Sequence, residues 1–262
     1  GRMRFHPHPT STSGGATGLY DQVQAGDIDV AWTRIRTSPA QFPRMSVVEF
    51  PFTVRRAHGA SRAVSEFVRT NDLSDRDFDG VRLLAVHVGD GSQLHWGSAI
   101  AEPPADVKGR RVAAATPGDA AMLAAMGAVP VEIPLPKMAE AMSGGSVDGA
   151  LLSWSDAQAA GVDRAARSHT EFGPGNGGLA SSLFALVMSS GSFGALADDL
   201  KTVVNANSGA DTAAWLGRVM DDAATQARKA AAARGDAIRV LTREERDRWI
   251  AAARTVANAR ID

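Results

Sequence analysis

Ser153, His95 and Asp156 are the residues of this sequence whose side chains could together support nucleophilic catalysis. A serine attacks only when a base takes its proton, and a carboxylate usually orients that base. Ser153 is not surrounded by the Gly-x-Ser-x-Gly pattern that exposes a nucleophile at a sharp turn between a strand and a helix. Because the local pattern of a hydrolase is missing, we predict that the protein is not an enzyme.

The tryptophan side chains suggest the binding of a small ligand rather than catalysis. Trp32 and Trp154 lie at or just after the ends of predicted strands, Trp96 lies in the segment that follows another, and Asp156 comes two residues after Trp154. Aromatic walls with one carboxylate hold organic cations, and each ring–cation contact contributes roughly 0.5 to 2 kcal/mol. The alternative is that the tryptophans pack in the core and that Asp156 caps a helix predicted over residues 157–166. The residues themselves leave both interpretations open.

Two further segments contain residue types found in phosphate or metal sites. Residues 89–92 read GDGS, which lacks the Lys-Ser/Thr pair that completes a phosphate-binding loop. His6 and His8 alternate along the chain, but two histidines without a third ligand are more typical of a solvated turn than of a metal site. We therefore predict no cofactor and no metal.

Composition restricts the class of protein without naming it. The 262 residues are 44% hydrophobic and carry a net charge of -1, so the chain can bury the core of one large domain or two smaller ones. No basic block provides a footprint for nucleic acid. The absence of cysteine excludes disulfides and thiolate chemistry, and this fits the periplasm and the cytosol equally well. No apolar run approaches the roughly 20 residues of a membrane span.

The elements that must position these residues are clearest between Asp106 and Asp156. Short strands alternate here with single short helices, which predicts parallel pairing with right-handed crossovers. The predicted strands cover residues 111–115, 129–133 and 149–152, and the predicted helices cover residues 120–126 and 137–142. Such sheets hold ligands at the carboxyl ends of their strands. We therefore expect a site at residues 113–116 and 153–156.

The same stretch carries a family resemblance. The segments DVKGRRV and MGAVPVEIPLPKMAEAMSGGSVDGA, followed by Trp154, resemble the second domain of the solute-binding proteins of tripartite ATP-independent periplasmic (TRAP) transporters, of the DctP type. The resemblance continues in VQAGDIDVAW and VVEFPF upstream and in HTEF and LFALVMS downstream. It therefore covers nearly the whole chain.

The resemblance implies an α/β fold with two lobes, like that of periplasmic binding proteins. It implies that residues 1–90 and 179–216 form lobe I, and that residues 91–178 and 217–262 form lobe II. A long helix, predicted over Asp211–Arg234, would span both lobes. Relatives begin with a strand and a long helix that are missing here, so that residues 3–6 would be their second strand.

The function that the resemblance implies is that of a periplasmic receptor. Such a receptor closes its lobes around a small organic solute and delivers the solute to the membrane permease subunits of a TRAP transporter. We expect a monomer. A sensing or scavenging protein of the same fold without a transport role is the alternative.

The resemblance also places the residues of the site. Trp32, at the end of a buried strand predicted over residues 28–32, would border the cleft, or else be a core residue. The remaining positions would lie near the cleft because they follow strands or chain crossings, and they are Gln93, His95, Trp96, Ser153, Trp154, Asp156 and Asn176.

Ala113 departs from the family pattern. Most members carry an arginine at this position, and its planar guanidinium forks onto the carboxylate of the solute. Arg111 points to the opposite face of the strand if alternation holds, and Arg110 lies one residue too far back, so neither replaces that arginine simply. The solute is therefore left open between an organic cation, a carboxylate bound by other donors, and a neutral or aromatic compound.

Overall fold

Two β-sheets and the helices packed against them form the part of the chain that the structure describes. The structure is a computed structural model, and it describes residues 3–8, 18–35, 42, 44–45, 48, 50–97, 100, 106–173 and 177–261. Its mixed α/β architecture with two lobes is the one that the sequence predicts. The residue boundaries of the lobes stay a prediction.

The strands of the described residues fall into two sheets. In chain order they are β1 (Val30–Arg34), β2 (Val81–Val88), β3 (Ser92–Gly97), β4 (Arg111–Ala114), β5 (Val129–Glu132), β6 (Gly149–Ser153), β7 (Ala166–Glu171), β8 (Leu183–Ser189) and β9 (Ala237–Val240). The first sheet has the order β1-β8-β2, and the second has the order β5-β4-β6-β3-β7-β9.

Helices cover these sheets. In the described residues they are α1 (Leu19–Ala25), α2 (Ala57–Thr70), α3 (Leu73–Arg76), α4 (Pro117–Ala125), α5 (Met138–Ser143), α6 (Trp154–Ala159), α7 (Val162–Ala165), α8 (Ser190–Gly194), α9 (Asp198–Ala206), α10 (Ala210–Ala233) and α11 (Arg243–Ile261), with a 3₁₀ turn at Leu135–Lys137. The long helix α10 packs against α2 beside the first sheet and against α6 beside the second.

The alternating stretch of the second sheet is confirmed. β4 pairs in parallel with β5 and β6, so that Ala113 lies opposite Val131 on one side and Ala150 on the other. The turn after β4 starts α4 because the hydroxyl of Thr116 accepts a hydrogen bond from the backbone N–H of Asp119 at 3.1 Å. Local patterning was sufficient here because each strand connects to the next through one short helix.

β1 begins two residues later than its predicted bounds, and this shift changes which residues the strand presents. Ala31 and Ile35 pack in the core of the first lobe. Alternation then places Trp32 and Arg34 together on the other face. The strand is therefore not buried on both sides, and its last residue is an arginine.

The chain crosses between the sheets where β2 leads into β3 and again before β8, and the two crossing segments touch. The backbone N–H of Ser92 donates to the carbonyl of Ala180 at 2.7 Å, and that of Leu179 donates to the carbonyl of Ser92 at 2.9 Å. A β-carbon at Gly91 would lie 2.1 Å from the nitrogen of Gly178, and one at Gly178 would lie 2.3 Å from the oxygen of Ser92. Only glycines allow this approach.

We expect Gly178→Ala to lower the free energy of unfolding by about 2 to 3 kcal/mol, because the new methyl group must push two backbones apart. Urea unfolding followed by circular dichroism measures the effect. Gly59→Ala is the matched control, since no atom lies within 4 Å of a β-carbon there and the position is inside α2. This control should be as stable as the parent or more stable. Equal stability of Gly178→Ala and the parent would contradict the close crossing.

α10 is confirmed, but its buried face differs from the apolar pattern of the sequence. That pattern groups Trp215 and Val219 with Ala223 and Ala227, yet Trp215 is 58% exposed and Val219 is also exposed. The buried face consists of small residues, and a β-carbon at Gly217 would lie 2.5 Å from the carbonyl oxygen of Ala57. The helix approaches α2 closely because its contact face is small.

The strand predicted over residues 3–6 is wrong. The structure describes residues 3–8, and they belong to neither sheet. Phe5 is exposed. A strand forms only where a neighbour accepts its backbone hydrogen bonds, and these residues have no such neighbour among the described strands.

Candidate functional site

An ion pair joins the two lobes at the end of β1. Nη2 of Arg34 donates to both carboxylate oxygens of Asp156, at 2.9 and 2.8 Å. Arg34 belongs to the first sheet, whereas Asp156 lies in the first turn of α6, directly after a strand of the second sheet. The two side chains keep 27% and 20% of their surface exposed. We call the place where they meet the seam.

Aromatic rings support Arg34 from the first sheet. The register places Arg34, Phe184 and His87 side by side across β1, β8 and β2. The guanidinium carbon of Arg34 lies 5.2 Å from the centroid of the Phe184 ring, close enough for a cation–π contact. Trp32 stacks on the same ring at 4.9 Å, with the planes 5° apart. Since Trp32 is 48% exposed, it presents a flat apolar surface two residues from the guanidinium.

His87 fixes the plane of that indole. Nε1 of Trp32 donates to Nε2 of His87 at 2.7 Å, so Nε2 carries no proton. Nδ1 then carries it, 3.2 Å from the carbonyl oxygen of Val88. Burial lowers the pKa of His87 to about 4, which keeps the imidazole neutral at physiological pH. The indole is therefore held in one orientation.

Asp90 ties the first turn of α6 to the crossing segment. The hydroxyl of Ser155 donates to Oδ1 of Asp90 in a short hydrogen bond, and the backbone N–H of Ser155 donates to Oδ2 at 3.3 Å. Burial raises the pKa of Asp90 to about 6, and the neighbouring carboxylate of Asp156 adds to this rise.

The hydroxyl of Ser153 accepts from the backbone N–H of Asp156 at 3.1 Å, so Ser153 and not Asp156 caps α6.

Gln93 is buried between the crossing segments. Its Nε2 donates to the carbonyl of Gly177 at 2.9 Å, and its Oε1 accepts from the backbone N–H of Phe172 at 3.0 Å. The side chain thus links β3 to the chain on its way back to β8. This position connects Gln93 to the crossing between the lobes.

His95 belongs to a buried chain of hydrogen bonds behind the seam. Its Nε2 donates to the carbonyl of Leu152 at 3.1 Å, so its Nδ1 accepts from Nδ1 of His169 at 2.8 Å. Nε2 of His169 lies 3.4 Å from Oδ2 of Asp236, and Nη2 of Arg234 donates a hydrogen bond to the same oxygen at 2.9 Å. Burial lowers the pKa of His169 to about 3 and that of His95 well below its ordinary value.

Trp96 and Trp154 do not reach the seam. Trp96 points to the face of β3 opposite His95 and is fully buried, with its Nε1 donating to the hydroxyl of Thr170 at 3.0 Å. Trp154 is buried beneath α10, and its Nε1 donates to Glu171 at 3.0 Å. Both indoles therefore pack in the core of the second lobe, which is the alternative that the sequence left open.

Ala113 is fully buried in an apolar cluster with Met138 and Leu152. Its side chain therefore does not open onto the seam. The predicted site residue Asn176 lies outside the described residues.

We expect Ala113→Arg to destabilise the protein by about 3 kcal/mol or more, because a guanidinium without a partner would be buried among apolar side chains. Thermal and urea unfolding measure the loss. Ala115→Arg is the matched control, because Ala115 directly follows β4, packs against the same apolar cluster and is only partly buried. It should lose much less stability, because the same arginine side chain can reach water from this less buried position. A stable Ala113→Arg variant that binds carboxylates more tightly would contradict the burial of this position.

The residues considered for catalysis are not brought together. The hydroxyl of Ser153 lies 3.1 Å from that of Ser155, while both nitrogens of His95 form hydrogen bonds with Leu152 and His169.

Within residues 3–8 and 18–261, excluding the undescribed positions, no group of three or more potential ligands is placed to hold a metal ion. No helix of the described chain is long and apolar enough to cross a membrane.

Comparison with known proteins decides the family. The family model named DctP, bacterial extracellular solute-binding protein family 7, matches residues 1–260. The chain belongs to the DctP family. The resemblance to TRAP solute-binding proteins is thereby confirmed, and the members of this family are extracytoplasmic solute-binding proteins.

Solved DctP-type structures share the fold. A TRAP solute-binding protein from Rhodoferax ferrireducens, in complex with copurified benzoate, is 32% identical with a TM-score of 0.89, over 99% of this chain and 80% of that one. A marine metagenome protein specific for aromatic acid ligands, with bound metahydroxyphenylacetate, is 27% identical with a TM-score of 0.84, over 98% and 77%. A Bordetella bronchiseptica protein with bound mandelate is 22% identical with a TM-score of 0.81, over 95% and 78%, and supports the fold alone.

The sequence did not predict Arg34, nor the ring of Phe184 beneath its guanidinium. The signal was present, since a residue two positions after Trp32 shares its face of a strand. The strand predicted from the sequence ends at Trp32, whereas β1 continues to Arg34, so that the prediction leaves Arg34 outside any strand.

Proposed function

We propose that this DctP-family protein is the periplasmic receptor of a TRAP transporter and that it binds an aromatic carboxylate at the seam. The lobes close around the solute by hinge motion, and the closed form delivers it to the membrane permease subunits. The protein acts as a monomer and carries out no chemical step. Trp32, Arg34, Phe184 and Asp156 form the binding residues of this proposal, with Gln93 and His95 behind them.

The observation that carries the proposal is the placement of Arg34. Its guanidinium lies over the ring of Phe184 and already holds a carboxylate, that of Asp156, at 2.8 and 2.9 Å. A planar guanidinium suits the recognition of carboxylates. Arg34 therefore supplies from lobe I the cation that Ala113 does not supply from lobe II.

Trp32 supports the aromatic part of the solute. A strand rises about 3.3 Å per residue, so side chains two positions apart on one face lie about 7 Å apart. This distance suits a benzoate whose ring stacks on the exposed indole while its carboxylate meets the guanidinium. Aromatic rings favour such offset stacking.

An organic cation fits the seam less well. Binding a cation would require Asp156 to present a free negative charge, but this carboxylate is already paired with Arg34. The tryptophans that would form a cage are also separated, because Trp96 and Trp154 are buried in the core while Trp32 alone is exposed. The ligands of the similar proteins, benzoate and metahydroxyphenylacetate, agree with an aromatic acid.

Isothermal titration calorimetry with a panel of solutes tests the proposed solute class. We expect benzoate and 3-hydroxybenzoate to bind, and malate, benzamide and phenethylamine to bind at least about tenfold more weakly. Benzamide is the matched control for charge, since it keeps the ring and the shape. Equal or tighter binding of phenethylamine would overturn the proposal in favour of a cation.

Small-angle scattering with and without benzoate tests the closure. A receptor needs distinguishable open and closed surfaces for its permease, so the radius of gyration should fall on saturation. An unchanged radius would contradict hinge closure. Uptake of labelled benzoate by vesicles that contain a TRAP permease, with and without this protein, separates a transport receptor from a scavenging protein of the same fold.

A further inference from the structure

The pair between Arg34 and Asp156 has the geometry of an exchangeable contact. One nitrogen, Nη2, makes both hydrogen bonds, whereas a guanidinium that forks a carboxylate most favourably uses two nitrogens. Both side chains are also partly exposed at the seam. A carboxylate from solution can therefore approach the guanidinium.

Asp156 is held in place independently of Arg34. Its backbone N–H donates to Ser153, and the neighbouring Ser155 is bonded to Asp90 through both its hydroxyl and its backbone N–H. The first turn of α6 would thus remain formed if the ion pair opened. Asp156 then places a carboxylate where a carboxylate solute would have to bind.

We propose that Asp156 occupies the guanidinium of Arg34 as an internal competitor, which the carboxylate of the solute displaces. This inference rests on the proposed function and gives Asp156 a specific role in it, that of setting the affinity and selecting for acids. A neutral solute cannot replace Asp156, because it would leave Arg34 without a counter-charge. Selectivity for acids therefore comes from the exchange of one carboxylate for another.

The opposite role is the natural alternative. Asp156 could orient Arg34 for the solute while remaining bound to it, as a positioning residue. The two roles predict effects of opposite sign. Removal of an internal competitor strengthens solute binding, whereas removal of a positioning residue weakens it.

Asp156→Asn distinguishes these roles, with benzoate as the probe and calorimetry as the measurement. We expect benzoate to bind about five- to tenfold more tightly to this variant, since that range corresponds to about 1 to 1.4 kcal/mol of lost competition. The neutral benzamide should gain much less. Asp148→Asn is the matched control, because Asp148 is also a partly exposed acid of the second lobe paired with an arginine, Arg111. Its benzoate affinity should equal that of the parent.

The outcomes separate this inference from the proposed function. If the parent binds benzoate but Asp156→Asn binds it equally or more weakly, internal competition is overturned while the proposed solute class stands. If neither protein binds any aromatic acid of the panel, both are overturned. Tighter benzoate binding by Asp156→Asn, with unchanged binding by Asp148→Asn, supports the inference.

Discussion

Arg34→Met should weaken benzoate binding at least about 30-fold. Removal of one partner from a buried, hydrogen-bonded charge pair costs about 2 to 5 kcal/mol, and each 1.4 kcal/mol is a factor of ten in affinity. Methionine keeps an apolar stem over Phe184, so that the loss reports on the guanidinium. Calorimetry with benzoate measures it.

Two further variants serve as controls for Arg34→Met. Arg82→Met is the matched control, because Arg82 also lies over an aromatic ring, with its guanidinium carbon 5.0 Å from the centroid of Phe193, but is remote from the seam. It should bind benzoate as the parent does. Arg34→Met combined with Asp156→Asn removes both charges, and it should bind benzoate as weakly as Arg34→Met does. Recovery of parental affinity in the double variant would show that an unpaired Asp156, and not the lost guanidinium, had weakened binding.

Acidification should destabilise the protein strongly between pH 7 and pH 5. Burial lowers the pKa of His87 to about 4 and that of His169 to about 3. The unfolded chain has histidines with a pKa of about 6.5 and therefore binds more protons than the folded chain in this range. The stability that these neutral histidines contribute is fully present above pH 6.5 and is lost as the pH falls toward 4.

The size of the effect follows from the pKa differences. At pH 5, each of the two histidines costs about 2 kcal/mol, at about 1.4 kcal/mol for each pH unit below 6.5. Asp90 acts in the opposite direction, since its raised pKa of about 6 lets the folded state take up a proton, and this offsets about 1.4 kcal/mol. The net loss is about 3 kcal/mol, and His95 changes it in the same direction as the other histidines.

Urea unfolding at pH 7 and pH 5 measures this loss. His87→Gln is the informative variant, because the glutamine oxygen can still accept from the indole of Trp32 but does not titrate. It should lose about 2 kcal/mol less than the parent between the two pH values. Equal stability of the parent at pH 7 and pH 5 would contradict the burial of neutral histidines in this fold.

The strands and helices between residues 106 and 156 could be predicted because their signals are local. Apolar runs, a Thr-Pro turn and single-helix connections each lie within a few residues of the element that they define. The same holds at α11, where Thr242 and Glu245, three residues apart, form a capping box with reciprocal hydrogen bonds of 2.9 and 3.2 Å. Such elements need no knowledge of distant contacts.

The seam could not be predicted in the same way because its contacts are distant in sequence. Arg34 and Asp156 are 122 positions apart, and neither residue type indicates a partner. The predicted placement of Trp96 and Trp154 at the ligand failed for a related reason. The sequence makes Trp96 and Trp154 candidates for a ligand cage with Trp32, but strand alternation and the packing of α10 bury both, and of these three only Trp32 stays exposed. The sequence thus predicted the strands of the second sheet between residues 106 and 156, whereas the end of β1 and the side-chain contacts of the seam required the structure.

A crystal structure of the protein with benzoate tests the central claim most directly. We predict that the carboxylate lies within about 3 Å of the guanidinium of Arg34, as a charge-assisted hydrogen bond requires. The ring should lie on the indole of Trp32, and Asp156 should have moved off Nη2. A benzoate bound elsewhere in the protein, with the pair between Arg34 and Asp156 intact, would contradict the account.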